Sequence, residues 1–211
     1  MSMDIYLKDG TFTEPDAPCY FLIAGNGFYV RKENPVFSAS VRLGALSWDN
    51  ADFPRRLEDQ EEFFELRIPK IPRKTVDEWI AFARIVRKIY KSEVLFLLFY
   101  SPETQEFENK VPEQRVGPAS VRSTACIPTP EGRYLIGTVH SHPGGAFHSP
   151  DDKDDEVSSD CLHFTIGDLD SVLPTFAISG VVNGKRFPIP PEQIIETVNI
   201  PREWREKIHA D

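Results

Sequence analysis

The sequence predicts an α/β fold, a mixed sheet flanked by helices with an antiparallel β module ahead of it, and three observations carry that expectation. One amphipathic helical stripe stands mid-chain, an almost wholly apolar run follows it directly, and short alternating segments punctuated by Gly, Asn and Pro lie on both sides. With 211 residues the chain has room for one substantial domain, or a smaller one plus an appended module. Hydrophobic residues at 40% and charged residues at 27% describe a globular protein and not a disordered one.

The N-terminal part, residues 1–71, reads as the β module. Strand-like pieces fall at Tyr20 to Ile23, Gly27 to Arg31, Phe37 to Leu43 and Phe63 to Ile68, with a tight hairpin at Gly25-Asn26-Gly27. No reactive cluster occurs there, so a role in recognising a partner or substrate is the expectation. The stiff segment Ile68-Pro69-Lys70-Ile71-Pro72 joins it to residues 72–211.

Thr75 with Glu78 three residues on has the form of a capping box, and Val76, Trp79, Ile80, Ala83, Val86 and Tyr90 recur at helical spacing up to about Ser92. Glu93-Val94-Leu95-Phe96-Leu97-Leu98-Phe99-Tyr100 reads as a strand buried on both faces, with one acid at its head. Further strands are expected at Ser120 to Ile127, Tyr134 to His140, Leu162 to Ile166 and Thr175 to Val182. The last of these turns at Asn183-Gly184 into Lys185 to Ile189, and helical pieces follow at Pro191 to Val198 and Pro201 to His209.

Composition narrows the function classes. A net charge of −9, with acidic clusters at Glu58 to Glu62 and Asp151 to Glu156, disfavours a nucleic-acid partner. No apolar run approaches the roughly 20 residues of a membrane span, and the Met-Ser-Met-Asp start has no signal-peptide form, so a cytoplasmic protein without membrane contact is expected. Cys19, Cys126 and Cys161 are too scattered for a disulfide framework or a CxxC metal pair.

The chemistry concentrates in Gly137-Thr138-Val139-His140-Ser141-His142-Pro143 and, downstream, Ser149-Pro150-Asp151-Asp152. Two histidines at alternate strand positions point to one side and can share an ion, and Pro143 stops the strand so that a loop can return a carboxylate. Two nitrogens, one oxygen and an open fourth position make the ligand set of a catalytic zinc site. Asp152 keeps the S-x-x-D interval and is the favoured third ligand, with its neighbour Asp151 as the alternative. Ser149 also suits a helix N-cap before Pro150. His148 reads as a loop residue, because a fourth protein ligand would exclude water. Cys161 and His163 read as packing residues of the next strand.

H-S-H-P followed by S-x-x-D resembles the JAMM motif of MPN-domain metallopeptidases, a family that includes deubiquitinases. Glu93-x-x-x-Leu97-Leu98 resembles that family's glutamate-bearing strand, and the order of the parts over roughly residues 72 to 190 is similar too. The resemblance implies a cytidine-deaminase-like MPN fold and one Zn2+ per chain on His140, His142 and Asp152. It makes Glu93 the general base and Ser149 the oxyanion donor. It further implies an isopeptidase acting at the Gly-Gly tail of a ubiquitin-like protein, with E1/E2-like conjugation partners in the same system. A peptidase releasing a small adduct such as cysteine from a sulfur-carrier protein, and a non-catalytic MPN scaffold, are the alternatives. Two departures stand out. The interval from Pro143 to Ser149 holds five residues where the family pattern usually has six, for which Gly144-Gly145 is the expected source of freedom. Phe96 and Tyr100 also occupy positions where the family strand commonly has glycines.

Overall fold

The computed structural model describes residues 3–45, 56–123 and 127–197 together with positions 203 and 207. Most of the expected Ser120 to Ile127 strand is described, but 124–126 fall outside, as does nearly all of the expected piece from Pro201 to His209. The fold is α/β with mixed sheets and few helices.

Five strands form the N-terminal sheet in sequential order: β1 (Ile5–Leu7), β2 (Cys19–Ala24), β3 (Gly27–Glu33), β4 (Phe37–Gly44) and β5 (Phe63–Leu66). β2 to β5 are antiparallel neighbours, and Ala24 pairs with Gly27 across the expected Gly25-Asn26 turn. Asn26 fastens that turn, donating to the Gln60 carbonyl and accepting from the Gln60 amide, both at 3.0 Å. The module is not wholly antiparallel: β1 runs parallel to β2, pairing Ile5 with Phe21. A three-residue strand with no alternation to mark it is invisible to periodicity.

α1 (Arg73–Tyr90) starts earlier than the sequence suggests. Pro72 is its N-cap and makes no side-chain cap bond, while Thr75 lies inside the first turn, so the Thr75 capping box does not form. A distant residue supplies the missing acceptor: the Arg73 amide donates to the Glu196 carboxylate at 3.2 Å. The bridge between Ile71 and Ile195 holds Glu196 there. Val76, Trp79, Ile80, Ala83 and Val86 are buried as expected, but Tyr90 is 65% exposed. The helix ends there because Lys91 turns left-handed, with φ 55.

The second sheet runs β13-β12-β11-β10-β6-β7, comprising β6 (Leu95–Ser101), β7 (Glu106–Lys110), β10 (Tyr134–Ser141), β11 (Leu162–Gly167), β12 (Thr175–Val182) and β13 (Lys185–Pro188). β10 and β11 are parallel and all its other pairs antiparallel, which makes the sheet mixed. Between β7 and β10 a separate hairpin forms from β8 (Gln114–Gly117) and β9 (Ser120–Ser123). Asn183 and Gly184 both have positive φ, as a two-residue hairpin turn requires. The expected helix from Pro191 is a single turn, α3 (Pro191–Ile194).

Alternation in β11 explains the layering. Leu162, Phe164 and Ile166 enter the apolar core under α1, where Phe164 meets Trp79 with ring centroids 5.4 Å apart, while His163 and Thr165 point to the opposite face. That core extends into the N-terminal sheet. Val30, Val36, Phe37, Ala39 and Val41 belong to the same buried cluster, and Phe64 stacks on Phe37 and Phe187 at 5.0 and 5.8 Å. Two ion pairs, Lys185 to Glu62 and Lys32 to Asp160, link the same halves. Described residues before and after position 71 therefore share one core, beside a smaller cluster of Tyr20, Leu22, Ala24 and Tyr29 within the N-terminal sheet.

Candidate metal centre

Because side chains repeat every two residues along β10, Thr138, His140 and His142 share the face opposite α1. β10 ends at Ser141, whose amide donates to the Val94 carbonyl and whose hydroxyl accepts from the Val94 amide, both at 3.1 Å. This double tie fixes Glu93, the next residue back, at the edge of the histidine pair. β6 itself begins only at Leu95. The loop after Pro143 then leads to α2 (Pro150–Glu156).

Ser149 caps α2. Its hydroxyl accepts from the Asp152 amide at 3.1 Å, and the Asp152 carboxylate accepts from the Ser149 amide at 2.7 Å. This capping box satisfies two otherwise orphaned donors and turns the Asp152 carboxylate toward the strand. His140 Nε2 and His142 Nε2 lie 3.1 Å apart, the first 3.3 Å from Asp152 Oδ1 and the second 3.3 Å from Asp152 Oδ2. The two histidines are 6% exposed. His140, His142 and Asp152 are the one group of ligand-type side chains among the described residues whose donor atoms converge closely enough to hold a metal ion. Asp151 is exposed and outside that group, so the described geometry supports Asp152 and not its neighbour.

The groups perturb one another in a consistent way. Burial would raise the Asp152 pKa, but hydrogen bonding with His140 and His142 outweighs it and holds the carboxyl well below the usual carboxylate range. Burial would lower His142, yet Asp152 beside it lifts the imidazole above its ordinary value. Glu93 is shifted the other way: burial raises its carboxyl, opposed by His142 and His140. A carboxylate ready to ligate and a second acid held closer to protonation face the same cleft. That cleft, of about 1060 Å³, is lined by Glu93, His140, His142, Ser149 and Asp152, with Leu95 and Phe147 as apolar walls and β9 along one side. An open hollow of about 830 Å³ beside Asp9 and Glu58 contains neither imidazole nor thiol. Compared with protein-family models and with curated proteins, the chain matches none.

Gly144-Gly145 does not supply the freedom that the five-residue loop needs. Neither residue has a positive φ, and a Cβ on Gly144 would meet nothing within 4 Å. Gly167, at the end of β11, is the position that matters. A Cβ there would fall 2.0 Å from the Ala146 nitrogen and 2.2 Å from the Gly145 carbonyl carbon. The loop lies directly on a strand end that has no side chain, and Asp168 anchors it by donating its amide to the Gly144 carbonyl at 2.6 Å. In sequence Gly167 is one strand-terminal glycine among many.

His148 is a loop residue, as expected, but its ring is buried, with Thr165 Oγ1 at 3.3 Å and Ser179 Oγ at 3.2 Å. Cross-strand register brings Thr138, His163 and Ser179 into one row and His140 with Thr165 into the next. Glu156 and Arg186 pair above these rows. Burial pushes both His148 and His163 down to about 4, so both rings are neutral at neutral pH. Burial raises the Cys161 thiol to about 12, which leaves no thiolate for nucleophilic chemistry. This polar bed escapes sequence reading because its members lie far apart in the chain and belong to common residue types.

Proposed function

We propose that this chain is a JAMM-type, zinc-dependent isopeptidase or peptidase with an MPN fold, cleaving the amide bond at the C-terminal Gly-Gly junction of a ubiquitin-like protein. The observation that carries the reading is the convergence of His140, His142 and Asp152 in a cleft that Glu93 and Ser149 also face. The 3.1 Å between the two imidazole nitrogens is close to the edge of a tetrahedron with metal bonds of about 2.0 to 2.1 Å, roughly 3.3 Å, and one donor atom from each of the three residues lies within 4.8 Å of the others. The residues therefore fit zinc, with two imidazoles and one carboxylate as ligands. When bound, zinc would act as a Lewis acid on the scissile carbonyl and lower the pKa of water at the open position.

The chain's own groups account for the remaining steps. Glu93 takes the proton of the attacking water and passes it to the leaving amine, and its burial-raised pKa suits a group that must both accept and donate. The Ser149 hydroxyl uses a lone pair for the α2 cap, so its proton is available to the developing oxyanion. Glu93, Asp151, Asp152, Asp154 and Glu156 line the cleft, where Arg122 is the single Lys or Arg among the described lining residues, a field that favours a protonated lysine amine as leaving group. Residues 1–71, which share the core, would contribute surface for the protein substrate.

The test is incubation with ubiquitin-like fusions carrying a Gly-Gly junction, with and without a chelator, read by intact mass. Cleavage after the second glycine that stops with chelator and returns with zinc is the expected result. Intact fusions under all three conditions would overturn the proposal.

A further inference from the structure

α2 presents a packing problem. Its sequence, Pro-Asp-Asp-Lys-Asp-Asp-Glu, contains no apolar side chain beyond Pro150, and it sits over the polar face of the second sheet. The hydrophobic effect cannot fix such a helix, and at seven residues it is far too short to persist alone. Polar anchors must hold it. At its N-terminal end these are the Ser149 cap and the approach of Asp152 to the two histidines. At its C-terminal end Glu156, one helical turn after Asp152, is 7% exposed and pairs with Arg186 of β13. Arg186 donates from one guanidinium nitrogen to Glu156 and from the other to Ser179 Oγ. The second Glu156 oxygen lies 3.4 Å from His163 Nδ1, whose ring is also 2.9 Å from Thr138 Oγ1.

Resting on the metal-site reading, we infer that the Glu156–Arg186 pair is a clamp that positions α2, and through α2 holds Asp152 at ligand distance from His140 and His142. The geometry favours a clamp over a second metal site, because the guanidinium already occupies the place a cation would take between Glu156 and Ser179. Arg suits this role better than Lys, since its rigid fork reaches the carboxylate and the hydroxyl together. Arg186 and Glu156 touch no ligand atom of the centre and act through the helix, as positioning residues.

The experiment uses the full-length chain and two readouts. In metal-free protein, hydrogen exchange of the Lys153 and Val157 amides, which bond to Ser149 and Lys153 carbonyls, reports whether α2 is docked. Competition with a chromophoric chelator then gives zinc affinity. Arg186→Ala and Glu156→Gln are expected to raise α2 exchange at least ~10-fold while α1 amides keep parental protection, and to weaken zinc ~10- to 100-fold, the range typical for residues that orient metal ligands. Arg186→Lys should recover part of both. Lys185→Ala, the neighbouring β13 residue paired with Glu62, should match the parent. Glu156→Gln preserves shape, so it decides the matter if Arg186→Ala fails to fold. Unchanged α2 exchange in a folded variant overturns the clamp, and faster exchange with parental zinc affinity overturns its link to Asp152. If the parent itself binds no zinc, the functional reading has failed, and the α2 exchange still decides whether the clamp exists.

Discussion

Gly167→Ala tests how the shortened loop is accommodated. The added methyl would sit 2.0 Å from the Ala146 nitrogen, 2.2 Å from the Gly145 carbonyl carbon and 2.7 Å from the Gly144 carbonyl oxygen. All three atoms are backbone, so no rotamer change relieves the contact. Reaching even a tight separation of about 3.0 Å requires the loop or the end of β11 to move by roughly 1 Å, in a core-like contact where overpacking costs about 1 to 3 kcal/mol. The displaced loop begins one residue after His142, whose amide is tied to the Ile166 carbonyl at 2.8 Å, and ends at Ser149, which orients Asp152. Metal geometry tolerates about 0.5 Å, so a 1 Å displacement should weaken zinc on the order of 10-fold or more. For a chain of this length the stability loss should lower Tm by about 3 to 10 °C. Chelator competition and thermal unfolding read both effects. Gly144→Ala, where the space is open, is the matched control and should leave both unchanged. Parental zinc affinity and Tm in Gly167→Ala would refute the reasoning.

Glu93→Gln should retain fold and zinc but lose activity by about 10²- to 10⁴-fold, because the amide cannot move a proton; near-parental turnover would remove Glu93 from the mechanism. Ser149→Ala loses both the cap and the oxyanion donor, so stability should fall by about 1 kcal/mol and kcat by about 10²-fold or more, whereas a purely structural serine would lower stability alone. His148 and His163 have folded pKa values of about 4 against 6.5 unfolded. The unfolded chain therefore binds more protons between those limits, and stability must fall as the pH drops from 6.5 to 4, by about 3 kcal/mol per histidine if the full shift is realised. Urea unfolding across this window should show that slope, a flatter one in His163→Gln, and a flat profile in the parent would contradict the burial of both rings. A chain starting at Arg73 should aggregate or remain unfolded, because removing Phe37, Phe64 and their neighbours strips the shared core from Phe187 and Ile178; a monomeric, cooperatively folded fragment would show instead that residues 72–211 stand alone.

The site was legible where chemistry and local geometry coincide. His140 and His142 at alternate positions of one strand, and Ser149 with Asp152 at capping-box spacing, fall within 13 residues, so secondary structure alone brings them near one another. Placement of Glu93 needed a sheet pairing, but its position ahead of an apolar run marked it as unusual. Long-range partners were not legible. The sequence points to Thr75 as the start of α1, but the helix begins at Arg73, where Glu196, more than 100 residues away, supplies an acceptor that no local pattern reveals. β7 and β8 carry few apolar residues, and β1 is too short to show a period. The glycine that makes the loop possible is Gly167 and not the Gly144-Gly145 pair inside it, since the need arises from close approach between segments and not from a turn's dihedral angles.

Elemental analysis of the purified chain tests the metal centre most directly. The account predicts close to one zinc per chain in the parent and in Asp151→Ala, and less than a tenth of that in His140→Ala and in Asp152→Ala, with all variants folded by circular dichroism. Full zinc retention in His140→Ala and Asp152→Ala would contradict it, and loss of zinc in Asp151→Ala alone would show that the third ligand is Asp151.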